Sequence, residues 1–271
     1  MPKFAANLSW LYQEEPFLER FTAAARAGFE AVEFLFPYAF QPSEIAARLT
    51  ENNLRAVLFN LPPGDFERGE RGIAALPGRE KDFQASLQLA LEYAEALNVD
   101  RLHVMAGITS EVDPTKAHAT YLENLRLALD KTAGSGRLIT LEPINDRDIP
   151  GYFLRTVEQA ADILADLNHP RLKIQLDWYH LQIMGGDLTR RTRLFFPHVA
   201  HIQLAGVPDR NEPDCGEVNF PHLFRLVDEL GYEGWIGCEY RPAGKTGDGL
   251  GWLKQVRPKM TDDRLTNRMN C

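Results

Sequence analysis

Residues 138–177 decide the fold, and they read LITLEPINDRDIPGYFLRTVEQAADILADLNHPRLKIQLD. The stretch begins with a short apolar run over 138–142 and ends with another over 172–177. Between these runs, apolar residues recur at helical spacing, namely Leu154, Val157, Ala161, Leu164 and Leu167. A short apolar run, a helical period and a second apolar run predict a strand, a helix and a strand.

The same alternation extends over the whole chain. The candidate strands are 4–7, 31–36, 56–60, 101–105, 138–142, 172–177, 199–204 and 235–239. Eight strand–helix units in about 250 residues are the number and size of a barrel of eight parallel strands. A doubly wound sheet is the rival fold, but it usually has fewer strands at this length. We therefore predict the α/β class and a single (β/α)8 TIM barrel.

Two glycines and two long connections mark where predicted elements stop. Gly28 and Gly231 follow helical segments directly, which is where a helix C-cap glycine is expected. Residues 61–79 and 205–219 are too long for simple turns between a strand and a helix. Because long loops in compact domains often carry function, we predict that these two act as lids.

Composition narrows the class of protein. The 271 residues are 44% hydrophobic and 25% charged, which is typical of a soluble globular protein. The sequence contains neither a long uncharged apolar run nor the pattern of a secretory signal. The net charge of −8 argues against bulk nucleic-acid binding, since an acidic surface repels phosphates. The three cysteines form no CxxC pair, so we predict a reducing, cytoplasmic environment.

The domain organisation is predicted to be simple. No low-complexity linker or sharp change of composition divides the chain. We predict one barrel domain over residues 1–257, followed by a polar C-terminal tail over residues 258–271. The expected partner is a small molecule, and association into a homo-oligomer is left open.

Four consecutive later strands end on polar side chains, namely Glu142, Asp177, Gln203 and Glu239. In an eight-stranded barrel the carboxyl ends of the strands meet at one mouth, where barrel enzymes have their active sites. Carboxylates buried this close together repel each other, so a bound cation is expected. Oxygen ligands without a thiolate favour Mg²⁺ or Mn²⁺. Taken alone, Asp177 would be interpreted as a helix N-cap or a loop salt bridge.

Three further residues have two interpretations each. His180 follows Asp177 by three positions and could donate to a substrate oxygen, or it could be a capping or packing histidine. His103 could point into the barrel near the site, or it could be a satisfied core histidine. Arg210 could clamp a substrate carboxylate through two hydrogen bonds, or it could be a solvated loop arginine.

Several motifs resemble those of the hydroxypyruvate isomerase family, which belongs to the xylose-isomerase-like barrel superfamily. They are FAANLS (4–9), VEFLFPY (32–38), LPGRE (76–80), LEPIN (141–145), GEVNFP (216–221) and GWIGCEY (234–240). The resemblance runs from about residue 3 to about residue 254. The family divides into hydroxypyruvate isomerases and 2-oxo-tetronate isomerases. EPIN (142–145) and IPG (149–151) are similar to the former, whereas HVMAG (103–107) and AGVPDR (205–210) are similar to the latter.

The resemblance implies a site and an activity. It implies that Glu142, Asp177, Gln203 and Glu239 hold a divalent metal, and that Glu142 and Glu239 are the proton donor and acceptor. Many relatives in the superfamily have a histidine where Gln203 stands, and His201, on the same strand face, is a candidate substitute ligand. The implied reaction is an aldose–ketose isomerisation of a short sugar acid.

Two other classes of function remain as alternatives. One is an apurinic endonuclease-like phosphodiesterase on the same barrel, whose relatives gather several histidines around a zinc cluster. Here the strand ends are acids and an amide, and the chain is acidic. The other is a non-catalytic protein that binds sugar acids.

Overall fold

The structure is a computed structural model, and it describes residues 2–256. Its eight strands within that range are Lys3–Asn7 (β1), Ala31–Phe34 (β2), Arg55–Asn60 (β3), Arg101–His103 (β4), Leu138–Leu141 (β5), Leu172–Asp177 (β6), Val199–Leu204 (β7) and Trp235–Cys238 (β8). Each strand pairs in parallel with the next, and β8 pairs with β1, so the sheet closes into a barrel. The predicted TIM barrel is confirmed. The doubly wound alternative is wrong, because such a sheet keeps two open edges.

Helices connect the strands on the outside of the barrel. They are Phe17–Arg26 (α1), Pro42–Glu51 (α2), Glu80–Ala96 (α3), Pro114–Lys131 (α4), Val157–Leu167 (α5), Trp178–Met184 (α6), Leu188–Phe195 (α7), Phe220–Glu229 (α8) and Gly251–Val256 (α9). Asp113, Thr156 and Asn219 cap helix N-termini by accepting a backbone N–H. Gly28 and Gly231 have φ of 88° and 75°, which confirms the predicted helix ends.

Four predicted strands extend too far toward their carboxyl ends. β2 ends at Phe34 and not at Phe36, and β4 ends at His103 and not at Met105. β5 and β8 each end one residue before the glutamate that was predicted to close the strand. An apolar run can continue past the end of a strand, because apolar residues indicate burial and not hydrogen bonding between strands. Val104 and Met105, for example, are buried although they lie outside the strand.

The inside of the barrel changes from apolar to polar along its axis. Ala5, Ala31 and Val57 form a small buried apolar cluster separate from the main core. Because side chains alternate along a strand, Asn7 and Glu33 face the same way two residues further on. Both are buried, at 1% and 0% exposure. The polar end of the barrel is therefore the carboxyl end of the strands.

The two long connections occupy the predicted positions. Residues 61–79 lie between β3 and α3, and residues 205–219 lie between β7 and α8. The first loop is attached to the segment after β4, because the Ala75 N–H donates to Ala106 O at 2.7 Å, and to helix α4, because Asn124 Nδ2 donates to Ala74 O at 2.8 Å. Whether either loop closes over a ligand stays a prediction.

Among the helices within residues 2–256, none has both the length and the apolar character that crossing a membrane requires. The predicted tail over 258–271 lies outside the described residues, as does the last residue of the predicted barrel domain. The domain division therefore stays a prediction.

Candidate active site

The predicted carboxylates lie at the carboxyl mouth of the barrel. Glu142, Asp177 and Glu239 are buried, at 5%, 2% and 5% exposure. Glu142 and Glu239 line one cavity of about 740 Å³, together with His180 and Arg210. The N-cap interpretation of Asp177 is confirmed, since Oδ1 caps α6 by accepting from the Tyr179 N–H at 2.8 Å. Oδ2 lies 3.6 Å from His180 Nε2, and the role of Asp177 as a metal ligand stays a prediction.

Two carboxylate oxygens at this mouth have the environment of metal ligands. Glu142 Oε1 and Asp177 Oδ2 are buried without a hydrogen-bond partner among the described residues. One ligand atom each of Glu142, Asp177 and His180 lie within 4.8 Å of one another. A buried carboxylate oxygen without a partner is costly, and a divalent cation with oxygen ligands removes that cost. The residues therefore fit a divalent metal.

The acidity of these groups reflects the same crowding. Burial and the neighbouring Glu239 and Asp177 raise the pKa of Glu142 well above its usual value. Burial raises the pKa of Asp177 to about 6, although the Arg210 guanidinium opposes the rise. A bound cation would favour the charged forms and would lower both pKa values.

Backbone geometry determines which nitrogen of His180 carries the proton. His180 Nδ1 accepts from the Asn145 N–H at 3.3 Å and lies 2.6 Å from Asn145 Nδ2. A backbone N–H can only donate, so Nδ1 is the acceptor and Nε2 carries the hydrogen of the neutral ring. Nε2 faces Glu142 Oε1 at 3.7 Å. In this tautomer His180 suits the predicted substrate-binding role better than metal ligation.

The amide of Gln203 is held between two carboxylates. Its Nε2 donates to Glu239 Oε2 at 2.5 Å and to Glu33 Oε1 at 2.7 Å. Its Oε1 accepts from Gln175 Nε2 at 2.6 Å. The structure thus brings all four predicted metal ligands to one mouth, but Gln203 turns its nitrogen toward Glu239. Its role as a ligand stays a prediction, and it would require the amide to rotate.

Arg210 is the cation at the centre of these acids. Its Nη2 lies 2.7 Å from Glu239 Oε1, and its Nη1 lies 3.3 Å from Asp148 Oδ2. The guanidinium stacks over Trp10 at 4.5 Å and Tyr179 at 4.8 Å. Burial raises the pKa of Glu239 to about 8, and Arg210 restrains that rise. The solvated-loop interpretation of Arg210 is wrong, since only 12% of its side chain is exposed.

His103, the last residue of β4, contacts the site on the side of the barrel that faces Glu239. Its Nδ1 lies 3.1 Å from Asn60 Oδ1 and 3.4 Å from Glu142 Oε2. Its Nε2 is buried without a partner among residues 2–256. The satisfied-core interpretation of His103 is therefore wrong. Burial lowers its pKa to about 3, so the ring is neutral.

Two residues outside the predicted set, Glu33 and Asn7, lie beneath the predicted site. Asn7 Nδ2 donates to Glu33 Oε1 at 3.0 Å and to Glu239 Oε2 at 3.3 Å. Asn7 carried the same signal as the predicted ligands, since it is the polar last residue of its strand, whereas Glu33 is a lone acid within an apolar strand. His201, the candidate substitute ligand, lies with Nε2 2.6 Å from Glu33 Oε2, in the same deeper layer.

Comparison with known proteins identifies the family. The family described as Xylose isomerase-like TIM barrel matches residues 21–256. A 2-oxo-tetronate isomerase of Cupriavidus necator is 53% identical, over 94% of this chain and 98% of that protein. The hydroxypyruvate isomerase of Escherichia coli is 42% identical, over 95% of this chain and 100% of that protein.

A solved structure agrees with the barrel throughout. It is a Brucella melitensis protein called AP endonuclease, family 2, with a TM-score of 0.93 and 50% identity, covering 95% of this chain and 100% of that chain. The closed barrel with buried carboxylates at the carboxyl ends of its strands is typical of TIM-barrel enzymes. The chain belongs to the xylose isomerase-like TIM barrel family. Within it, the chain is a member of the group whose curated relatives are isomerases called hydroxypyruvate isomerase or 2-oxo-tetronate isomerase.

Proposed function

We propose that the protein is an aldose–ketose isomerase that interconverts hydroxypyruvate and tartronate semialdehyde. The alternative substrate is the four-carbon 2-oxo-tetronate, because relatives of both names match nearly the full length of the chain. One observation carries the proposal beyond the names: two buried glutamates, Glu142 and Glu239, face the same cavity.

The reaction moves a proton between two adjacent carbons. A C–H next to a carbonyl is a very weak acid, so a positioned base and stabilisation of the developing negative charge are both needed. One of Glu142 and Glu239 removes the C–H proton, and the other returns a proton to the neighbouring carbon. The hydroxyl hydrogen passes from one substrate oxygen to the other, which completes the exchange of the carbonyl and the alcohol. The burial that raises the pKa of both carboxyls suits proton exchange near neutral pH.

We propose that a divalent metal, Mg²⁺ or Mn²⁺, is held by Glu142, Asp177 and Glu239. Gln203, the fourth predicted ligand, would join this set only through Oε1, with its Nε2 keeping the hydrogen bond to Glu33. The buried oxygens Glu142 Oε1 and Asp177 Oδ2, which have no hydrogen-bond partner among the described residues, support this assignment most directly. When bound, a divalent cation would supply positive charge that stabilises the negative charge developing on the substrate. His180 donates its Nε2–H to a substrate oxygen, and Arg210 balances the charge of Glu239.

The substrate carboxylate needs positive charge beyond that of Arg210, which the acids of the site already engage. Arg71, from the loop over 61–79, lines the cavity and stacks over Phe66 at 3.8 Å. Its Nη1 is tied to the carbonyl oxygens of Phe66 and Glu70, and no carboxylate of the described chain forms an ion pair with it. We propose that Arg71 shares the binding of the carboxylate with Arg210, while Phe66 limits the access of water.

Steady-state kinetics test the proposal. We expect turnover of hydroxypyruvate, of 2-oxo-tetronate or of both, with kcat/KM lost on chelation and restored by Mg²⁺ or Mn²⁺. The ratio of the two kcat/KM values identifies the preferred acid. Absence of turnover of either acid by metal-loaded protein would refute the isomerase assignment.

The same preparation distinguishes the rival functions. The name of the Brucella melitensis protein makes cleavage of abasic DNA worth assaying on a gel, and cleavage would favour the phosphodiesterase. Calorimetric binding of the acid without turnover by proton NMR would instead indicate a binding protein. The cytoplasmic location, the absence of nucleic-acid partners and the oligomeric state stay predictions.

A further inference from the structure

Glu33 is a buried carboxylate outside the predicted catalytic set. It stands on β2 with 0% exposure, one layer below the mouth of the barrel. Its Oε1 accepts from Gln203 Nε2 at 2.7 Å and from Asn7 Nδ2 at 3.0 Å. Its Oε2 lies 2.6 Å from His201 Nε2. A carboxylate this deep is retained only where such partners satisfy its oxygens.

Two amides connect Glu33 to Glu239 in the same way. The Nε2 of Gln203 contacts Glu33 Oε1 and Glu239 Oε2, and the Nδ2 of Asn7 contacts the same two oxygens. A side-chain amide placed between two carboxylates must turn its NH₂ group toward both, because its oxygen would be repelled. Glu33 therefore favours the orientation in which both amides donate to Glu239, together with the donors Gln175 and Ser9 that hold the two amide oxygens.

The strand on the other side of β1 leaves space for this carboxylate. Gly237 of β8 pairs in register with Ala5 of β1 and with Gln203 of β7. A Cβ added at Gly237 would overlap the carboxylate of Glu33, far inside van der Waals contact. The absence of a side chain at Gly237 is therefore what allows Glu33 to reach the amides.

We propose that Glu33 is a positioning residue of the isomerisation, which acts through Gln203 and Asn7 on Glu239. This inference rests on the proposed function. Glu33 does not touch the substrate cavity. It keeps the Oε2 edge of Glu239 bound to two N–H donors while Oε1 faces Arg210 at 2.7 Å. The rate of proton transfer is sensitive to shifts of the base of well below 1 Å. If Glu239 loses these hydrogen bonds, its carboxylate can shift, and kcat falls.

The first test replaces Glu33 with its isostere in Glu33→Gln. The glutamine can keep its oxygen toward Gln203 and Asn7, but this oxygen carries no negative charge, and its NH₂ group then takes the place of the oxygen that faces His201 Nε2. We expect kcat to fall about tenfold to a hundredfold with KM changed less than about threefold, which is the signature of an interaction specific to the transition state. The matched control is Glu212→Gln, a buried glutamate whose carboxylate caps the Ala243 N–H instead.

The second test is a double-mutant cycle between Glu33 and Gly237. Gly237→Ala places a methyl group where the Glu33 carboxylate lies, so it should lower kcat about as much as Glu33→Ala. In the double variant the methyl group meets no carboxylate, so the second change should cost less than about threefold more. Gly244→Ala, at a glycine with open space around it, is the control. Additive losses, or a kcat within about threefold of wild type in both single variants, would overturn the proposal.

A readout independent of turnover separates this inference from the proposed function. In the wild type, the side-chain NH₂ resonance of Gln203 should be shifted by its 2.5 Å bond to Glu239, and Glu33→Gln should move it. If wild-type protein turns over neither acid but the resonance moves, the isomerase assignment fails and the positioning of Glu239 stands. An unmoved resonance overturns the positioning. If Glu33→Gln does not fold, Gly237→Ala decides the matter by the same two readouts.

Discussion

Glu239 is the most informative single residue to replace. The substitution Glu239→Gln removes its negative charge with little change in the shape of the side chain. The wild-type carboxylate is buried and is held by Arg210 at 2.7 Å and by Gln203 at 2.5 Å. A glutamine can satisfy only one of these neighbours with its oxygen, and it cannot exchange a proton with a carbon. We therefore expect the loss of one acid–base step, while the pocket keeps its volume.

The size of the effect follows from the role. A positioned general acid or base contributes about a hundredfold to ten-thousandfold, or about 2.7 to 5.4 kcal/mol at 1.36 kcal/mol per tenfold. The effect on folding should be small, because two changes oppose each other. Arg210 loses its closest partner, which costs about 1–3 kcal/mol, but Glu142 and Asp177 lose a neighbour that repels them.

The assay is turnover of hydroxypyruvate and of 2-oxo-tetronate by metal-loaded protein, followed by proton NMR. Exchange of the transferred hydrogen with deuterated solvent gives a second measure of the proton step. Glu212→Gln, which removes a buried carboxylate outside the cavity, is the control and should keep wild-type activity. A Glu239→Gln protein that unfolds like the wild type and retains kcat within about threefold would refute its role in proton transfer.

Three further predictions use other parts of the site. Asp177→Asn replaces a carboxylate that has one oxygen without a hydrogen-bond partner. Calorimetry should therefore show an affinity for Mn²⁺ that is lower by about tenfold to a hundredfold. An unchanged affinity would place the metal elsewhere. Arg71→Gln should raise KM for the acids about tenfold to a hundredfold with kcat little changed, whereas Arg68→Gln on the same loop should not. Burial raises the pKa of Glu239 from 4.5 to about 8, so the folded state holds a proton that the unfolded state releases between those values. The Tm of chelated protein should therefore fall as pH rises from 5 to 8, and a slope that Glu239→Gln leaves unchanged would contradict this cause.

Much of the architecture could be predicted because it depends on periodicity. Alternating strands and helices with the right count indicate a barrel, and the strand ends then place Glu142, Asp177, Gln203 and Glu239 at one mouth. The errors lay in the lengths of strands, since burial continues past the last paired residue. Glu33 was missed for a related reason: a lone acid within an apolar strand carries no spacing that indicates its partners.

By itself, the sequence determined which residues lie on which strand and toward which end of the barrel they stand, because side-chain direction follows from the period of each element. Only the tertiary structure decided which atoms meet. The closure of β8 onto β1 brings Gly237 beside the Glu33 carboxylate, and the Asn145 N–H sets the tautomer of His180. These contacts join residues far apart in the sequence at distances of about 3 Å or less, which no local pattern encodes.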